Sequence, residues 1–169
     1  MQAIRATSRA LPQVLQRRAT PLGCDGTIVR PNPRTMTTTT PHPHFDDRGT
    51  LSWHTTMAQA KEEASRDGKL IFIELGRKLC SQCRALVETT VPRPDVGPKL
   101  QEGWVALAAD ADECEDEVVA LAQKLEDAMM LPFVLFTDAD GTFLDGYAGV
   151  SSAPKLIEIL DRLTASKSD

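Results

Sequence analysis

The chain of 169 residues suits one domain, or a smaller domain with a tail, and 41% of it is hydrophobic, enough for a core. Residues 1–49 carry 7 Lys/Arg against 3 Asp/Glu and hold 6 of the 11 prolines, whereas residues 50–169 carry 12 against 21, so the chain reads as a tail followed by an acidic domain. An acidic domain without a basic stripe argues against nucleic acid as its partner, and no run approaches the roughly 18 apolar residues of a membrane span.

The tail shows no sustained periodicity. Its stretch Thr35-Met36-Thr37-Thr38-Thr39-Thr40-Pro41-His42-Pro43-His44 is of low complexity and cannot bury enough surface to offset its ordering entropy, so residues 1–49 are expected to be disordered. Arg5, Arg9, Arg17 and Arg18, with no acid among the first twenty residues, resemble an organelle transit peptide. The competing reading is a start codon placed too early, with Met36 as the true beginning. Without import, the expected location is cytoplasmic. His42 and His44 fall in this tail, and a chain begun at Asp46 is expected to keep the full melting temperature.

From Thr50 the pattern becomes regular. Trp53, Met57, Ala60 and Ala64 share one face of a helix that Ser52 would cap and Gly68 would stop, with His54 on its surface. The apolar run Leu70-Ile71-Phe72-Ile73-Glu74-Leu75 predicts a buried strand, followed by a helix from Cys80 through Leu86 and Val87. Pro92, Pro94 and Pro98 punctuate the connection to a strand from Trp104 to Ala109. Val118, Leu121, Ala122 and Leu125 mark a third helix, and Pro132 opens the strand Phe133 to Phe136. Asp138-Ala139-Asp140-Gly141 forms a turn, and Thr142 to Tyr147 returns as a hairpin partner. Leu156, Ile159, Leu160 and Leu163, spaced i, i+3, i+4 and i+7, predict a last helix with Ser151 or Ser152 at its start. The order α-β-α-β-α-β-β-α describes an α/β domain over residues 50–169 with four strands.

Cys80-Ser81-Gln82-Cys83 carries the chemistry. Two thiols at this spacing can close a disulfide with each other, and at a helix N-terminus the free N–H groups and the helix dipole favour a thiolate on the first. Cys80, beside Arg77 and Lys78, is therefore the expected nucleophile. Cys83 shares a face with Leu86, Val87 and Thr90, so its thiol is expected to be partly buried and slow to ionise. Release of a mixed disulfide then needs a base. Glu74, an acid inside an apolar run, is the candidate, and an ordinary strand-end acid facing solvent is the alternative. Cys114, within a run of acids, reads as a solvated loop residue.

These residues resemble a known family. Gly68-Lys69 before the strand, Glu74 six positions ahead of Cys80, the pair Cys80 and Cys83, Asp95-Val96, Leu131-Pro132, the turn 138–141 and Gly149 together are similar to thioredoxin-fold domains. The likeness is greatest to the C-terminal domain of bacterial transmembrane thiol-disulfide interchange proteins. It implies a thioredoxin-like fold in which a mixed four-stranded sheet is flanked by helices. It also implies a cis Pro132 against Cys80, with the Leu131 backbone free to pair with an extended substrate. Leu79 departs from the family by standing where an aromatic residue is usual, and the resemblance implies a substrate contact at this position. Val87 occupies the place of a second carboxylate, which leaves Glu74 alone.

The expected activity is thiol-disulfide exchange, in the reductase direction, on protein or small-molecule disulfides, with an electron donor of unknown identity, no cofactor and no metal, from a monomer. The catalytic set is Cys80, Cys83, Glu74 and Pro132, with Leu131 and Leu79 binding substrate. A non-catalytic interaction domain of the same fold is the alternative. A zinc module built on Cys80 and Cys83 is a weaker one, since a second Cys/His pair at structural-site spacing is missing.

Overall fold

The computed structural model describes residues 39–126, 128–149 and 152–167. The transit-peptide and start-codon readings concern residues 1–35 and Met36, which lie outside this range.

Among the described residues, five strands and five helices follow one another as β1 (Trp53–His54), α1 (Met57–Asp67), β2 (Leu70–Gly76), α2 (Ser81–Ala85), α3 (Gly97–Gly103), β3 (Trp104–Asp110), α4 (Asp116–Ala122), β4 (Phe133–Thr137), β5 (Phe143–Ala148) and α5 (Ala153–Lys167). A π-helical turn, Leu86–Thr90, continues α2. The sheet order is β1-β3-β2-β4-β5; β3 runs parallel to β1 and β2, while β4 is antiparallel to β2 and β5. The sheet therefore has five strands rather than four. The additional one is β1, two residues long, whose Trp53 pairs with Ala106. Trp53 and His54 thus belong to the sheet edge and not to the first helix, which starts at Met57 with Thr56 as its cap. His54 bonds Glu63 at 2.7 Å.

Side-chain alternation on β2 divides the core into two layers. Leu70 and Phe72 point to one face, where they meet Cys83, Leu86 and Val87, together with Leu100 of α3 and Leu156, Ile159, Leu160 and Leu163 of α5. Ile71, Ile73 and Leu75 point to the other, against Met57, Ala60 and Ala64 of α1 and Val118, Leu121 and Ala122 of α4. A strand covered on both faces needs a continuous apolar sequence, and β2 has one apart from Glu74.

The boundary expected after residue 49 moves toward the N-terminus. Residues 39–49 are packed against the domain, with His42, Phe45 and Asp47 buried. Asp47 explains much of this order, because its Oδ2 accepts from Leu51 N at 2.8 Å and from Trp53 Nε1 at 2.9 Å. Trp53 N in turn donates to Thr40 O at 2.9 Å.

Candidate active site

The same alternation that places Phe72 on the α2 face places Glu74 there, and Glu74 is 1% exposed. Cys80 caps α2: its Sγ accepts from Cys83 N at 3.1 Å, and it joins Cys83 in a disulfide with Cα atoms 5.2 Å apart. Cys80 is half-buried and Cys83 fully buried, so only the first sulfur can meet a partner molecule. Leu86 and Val87 share the buried face of Cys83, as their spacing predicts, and Thr90 is half-buried. Arg77 ion-pairs with Asp112 at 2.9 Å and lines the same groove as Cys80.

Glu74 and Cys83 meet at Gly76. A Cβ built there would overlap Glu74 Oε1 and lie 3.0 Å from Cys83 Sγ, so carboxylate oxygen and sulfur border one small space that a side chain would fill. Oε1 is buried and has no hydrogen-bond partner among the described residues. A buried acceptor of this kind is costly unless some state of the protein satisfies it.

The register of β2 with β4, Leu75 opposite Phe133, brings the start of β4 to the end of β2 beside the disulfide. The Leu131-Pro132 bond is cis. Pro132 O accepts from Gly149 N at 2.9 Å. An open groove of ≈ 570 Å³ runs past Cys80, lined by Leu131, Leu79, Gln82, Met129 and Met130 among others. Leu79 is 94% and Met129 86% exposed, which gives the groove an apolar rim.

A family model described as thioredoxin-like matches residues 52–139, more than half of the chain. The chain belongs to the thioredoxin-like family. Among solved structures it is similar to a thioredoxin from Thermus thermophilus, 15% identical, covering 66% of this chain and 85% of that one with a TM-score of 0.54. It is also similar to a poplar thioredoxin h mutant, 19% identical, covering 68% and 84% with a TM-score of 0.50. At these identities the likeness concerns the fold. No curated protein matches the chain.

The matched span of this thioredoxin-like domain holds Glu74, both cysteines and Pro132, and it begins after His42. Sequence reasoning left His42 in the tail, yet its Nε2 lies 3.2 Å from Glu74 Oε2 with both side chains 1% exposed. His44 Nε2 lies 2.8 Å from Asp110 Oδ2 at the end of β3. The Asp110 carboxyl is held below the usual carboxylate range, first by the Asp112 N–H and then by His44. Cys114 is half-buried against the second core layer rather than solvated, and burial, followed by Glu115, Asp110 and Asp116, pushes its thiol up. Among the described residues no group of three His, Cys, Asp or Glu is arranged to hold a metal ion, and no helix is long and apolar enough to cross a membrane.

Proposed function

We propose that the protein is a thiol-disulfide oxidoreductase working as a reductase on disulfides, with Cys80 as nucleophile, Cys83 as resolving thiol and Glu74 as base. The Cys80 thiolate attacks one sulfur of the substrate, forms a mixed disulfide and expels the first substrate thiolate, which takes a proton from water. Cys83 then gives its proton to Glu74 Oε1 and attacks Cys80 Sγ, expelling the second substrate thiolate. The result is the Cys80–Cys83 disulfide, which a dithiol donor returns to the reduced state with two electrons and two protons. Leu131 and Leu79 flank the substrate in the groove beside Pro132.

The observation that carries this reading is the buried, unpartnered Oε1 of Glu74 facing the Cys83 sulfur across Gly76. In the dithiol state the Cys83 S–H is the donor that this oxygen lacks in the disulfide. The sequence likeness to the C-terminal domains of transmembrane thiol-disulfide interchange proteins supports the same assignment, with Val87 in place of their second carboxylate. The absence of a histidine between the cysteines, where Ser81-Gln82 stands, supports the reductase direction.

Trapping tests it. Cys83→Ser exposed to oxidised substrate should accumulate a mixed disulfide on Cys80, visible by mass spectrometry, and Cys80→Ser should form none. The reduction potential should fall near roughly −270 mV, and one near roughly −120 mV would reverse the direction. If Cys83→Ser carries no adduct and the wild type leaves the insulin disulfides intact, the protein is a non-catalytic domain of this fold.

A further inference from the structure

His42 reaches the buried carboxylate from outside the span that the family model matches. The state of its ring can be read from its neighbours. His44 N and Phe45 N both donate to His42 Nδ1, at 3.1 and 3.2 Å, so Nδ1 is an acceptor and the ring proton sits on Nε2. That Nε2–H therefore donates to Glu74 Oε2. The ring itself is held firmly, stacked on Phe45 at 5.2 Å and edge-on to Trp53 at 4.7 Å.

We propose that His42 is a positioning residue for the second half of disulfide exchange. By occupying Oε2 it fixes the rotation of the Glu74 carboxylate, which leaves Oε1 as the oxygen presented to the Cys83 thiol. This inference rests on the reading of Glu74 as base. His42 does not carry the proton onward, because its far nitrogen is already engaged by two backbone N–H groups. The proton moves from Cys83 S–H to Glu74 Oε1 while the Cys83 electron pair forms the bond to Cys80 Sγ and the substrate thiolate leaves. His42 changes only how well the accepting oxygen is aimed. The segment 39–47, which seats His42, is on this view part of the redox site.

Two substitutions separate this role from simple packing. In His42→Asn the shorter side chain keeps an acceptor near the Nδ1 position for His44 N and Phe45 N but cannot reach Glu74. In His42→Gln the amide N–H falls near the Nε2 position and donates to Glu74, while the backbone acceptor is lost. Quenched-flow mass spectrometry of the reduced full chain with an oxidised peptide resolves formation and decay of the mixed disulfide. For His42→Asn we expect decay slowed about tenfold or more and formation within about twofold of wild type. For His42→Gln both rates should stay within about threefold, whatever its melting temperature. In a Glu74→Gln background, His42→Asn should slow decay no further. Equal slowing of formation and decay, wild-type decay in His42→Asn, or additional slowing in the Glu74→Gln background would overturn the proposal. Should His42→Asn not fold, His42→Gln decides, since slowed decay in that variant also overturns it. Unchanged decay in Glu74→Gln alone would instead remove Glu74 as the base.

Discussion

Gly76 has no side chain, and the space beside its Cα is shared by Glu74 Oε1 and the Cys83 sulfur. Its backbone is ordinary strand, so the requirement for glycine here comes from this close approach. Gly76→Ala should push the carboxylate and sulfur apart at a cost of about 1–3 kcal/mol in stability, as for other overpacked sites. The same variant should slow decay of the mixed disulfide more than its formation. Thermal denaturation and the trapping assay check both effects, and an unchanged melting temperature would mean that the gap is not filled. The importance of Glu74 was legible in the sequence, because an acid inside an apolar run needs a reason. Its partner was not. His42 lies 32 residues away in a stretch of Thr, Pro and His whose composition reads as unstructured, and no local spacing links it to β2.

Elements were legible where periodicity runs long. The apolar run of β2, the i, i+3, i+4, i+7 face of α5 and the turn at 138–141 appear where the sequence places them. Short elements escaped. β1 has only two residues, and its pairing with β3 is visible only once Asp47 ties down Trp53. α3 begins at Gly97-Pro98, a pair that reads as loop, although proline is well accommodated in a first helical turn. Ser52, expected to cap α1, instead accepts from Thr40 N at 3.2 Å, which again reflects the segment before residue 50. The end of β3 supplies a test of that segment. Because the folded Asp110 carboxyl sits below its usual range, its contribution is complete above the ordinary carboxylate pKa and is lost as the pH falls through the lower folded value. Asp110→Asn should therefore narrow the difference in melting temperature between pH 7 and pH 3 by about 1–4 °C, a small effect because the pair is partly solvated. An unchanged difference would show that neither Asp112 N–H nor His44 stabilises the charged form.

At the scale of the molecule, the question is where the domain begins. Composition places the change of texture near Thr50, and on that reading a chain starting at Asp46 behaves like the full one. Packing says otherwise. Starting at Asp46 removes Phe45, which is 5% exposed and packed in the larger core layer, and a lost buried Phe costs about 3–5 kcal/mol. It also removes His42, leaving a second oxygen of a buried carboxylate without a donor, at about 1–3 kcal/mol. It strips Thr40 O from Trp53 N as well. Against a total stability of about 5–15 kcal/mol, these losses take a large share. A chain beginning at Asp46 should melt more than about 10 °C below one beginning at Thr39 and lose insulin reduction with it. Equal melting temperatures for the two chains would show that residues 39–45 rest on the domain without holding it, and would return the boundary to the place where composition alone puts it.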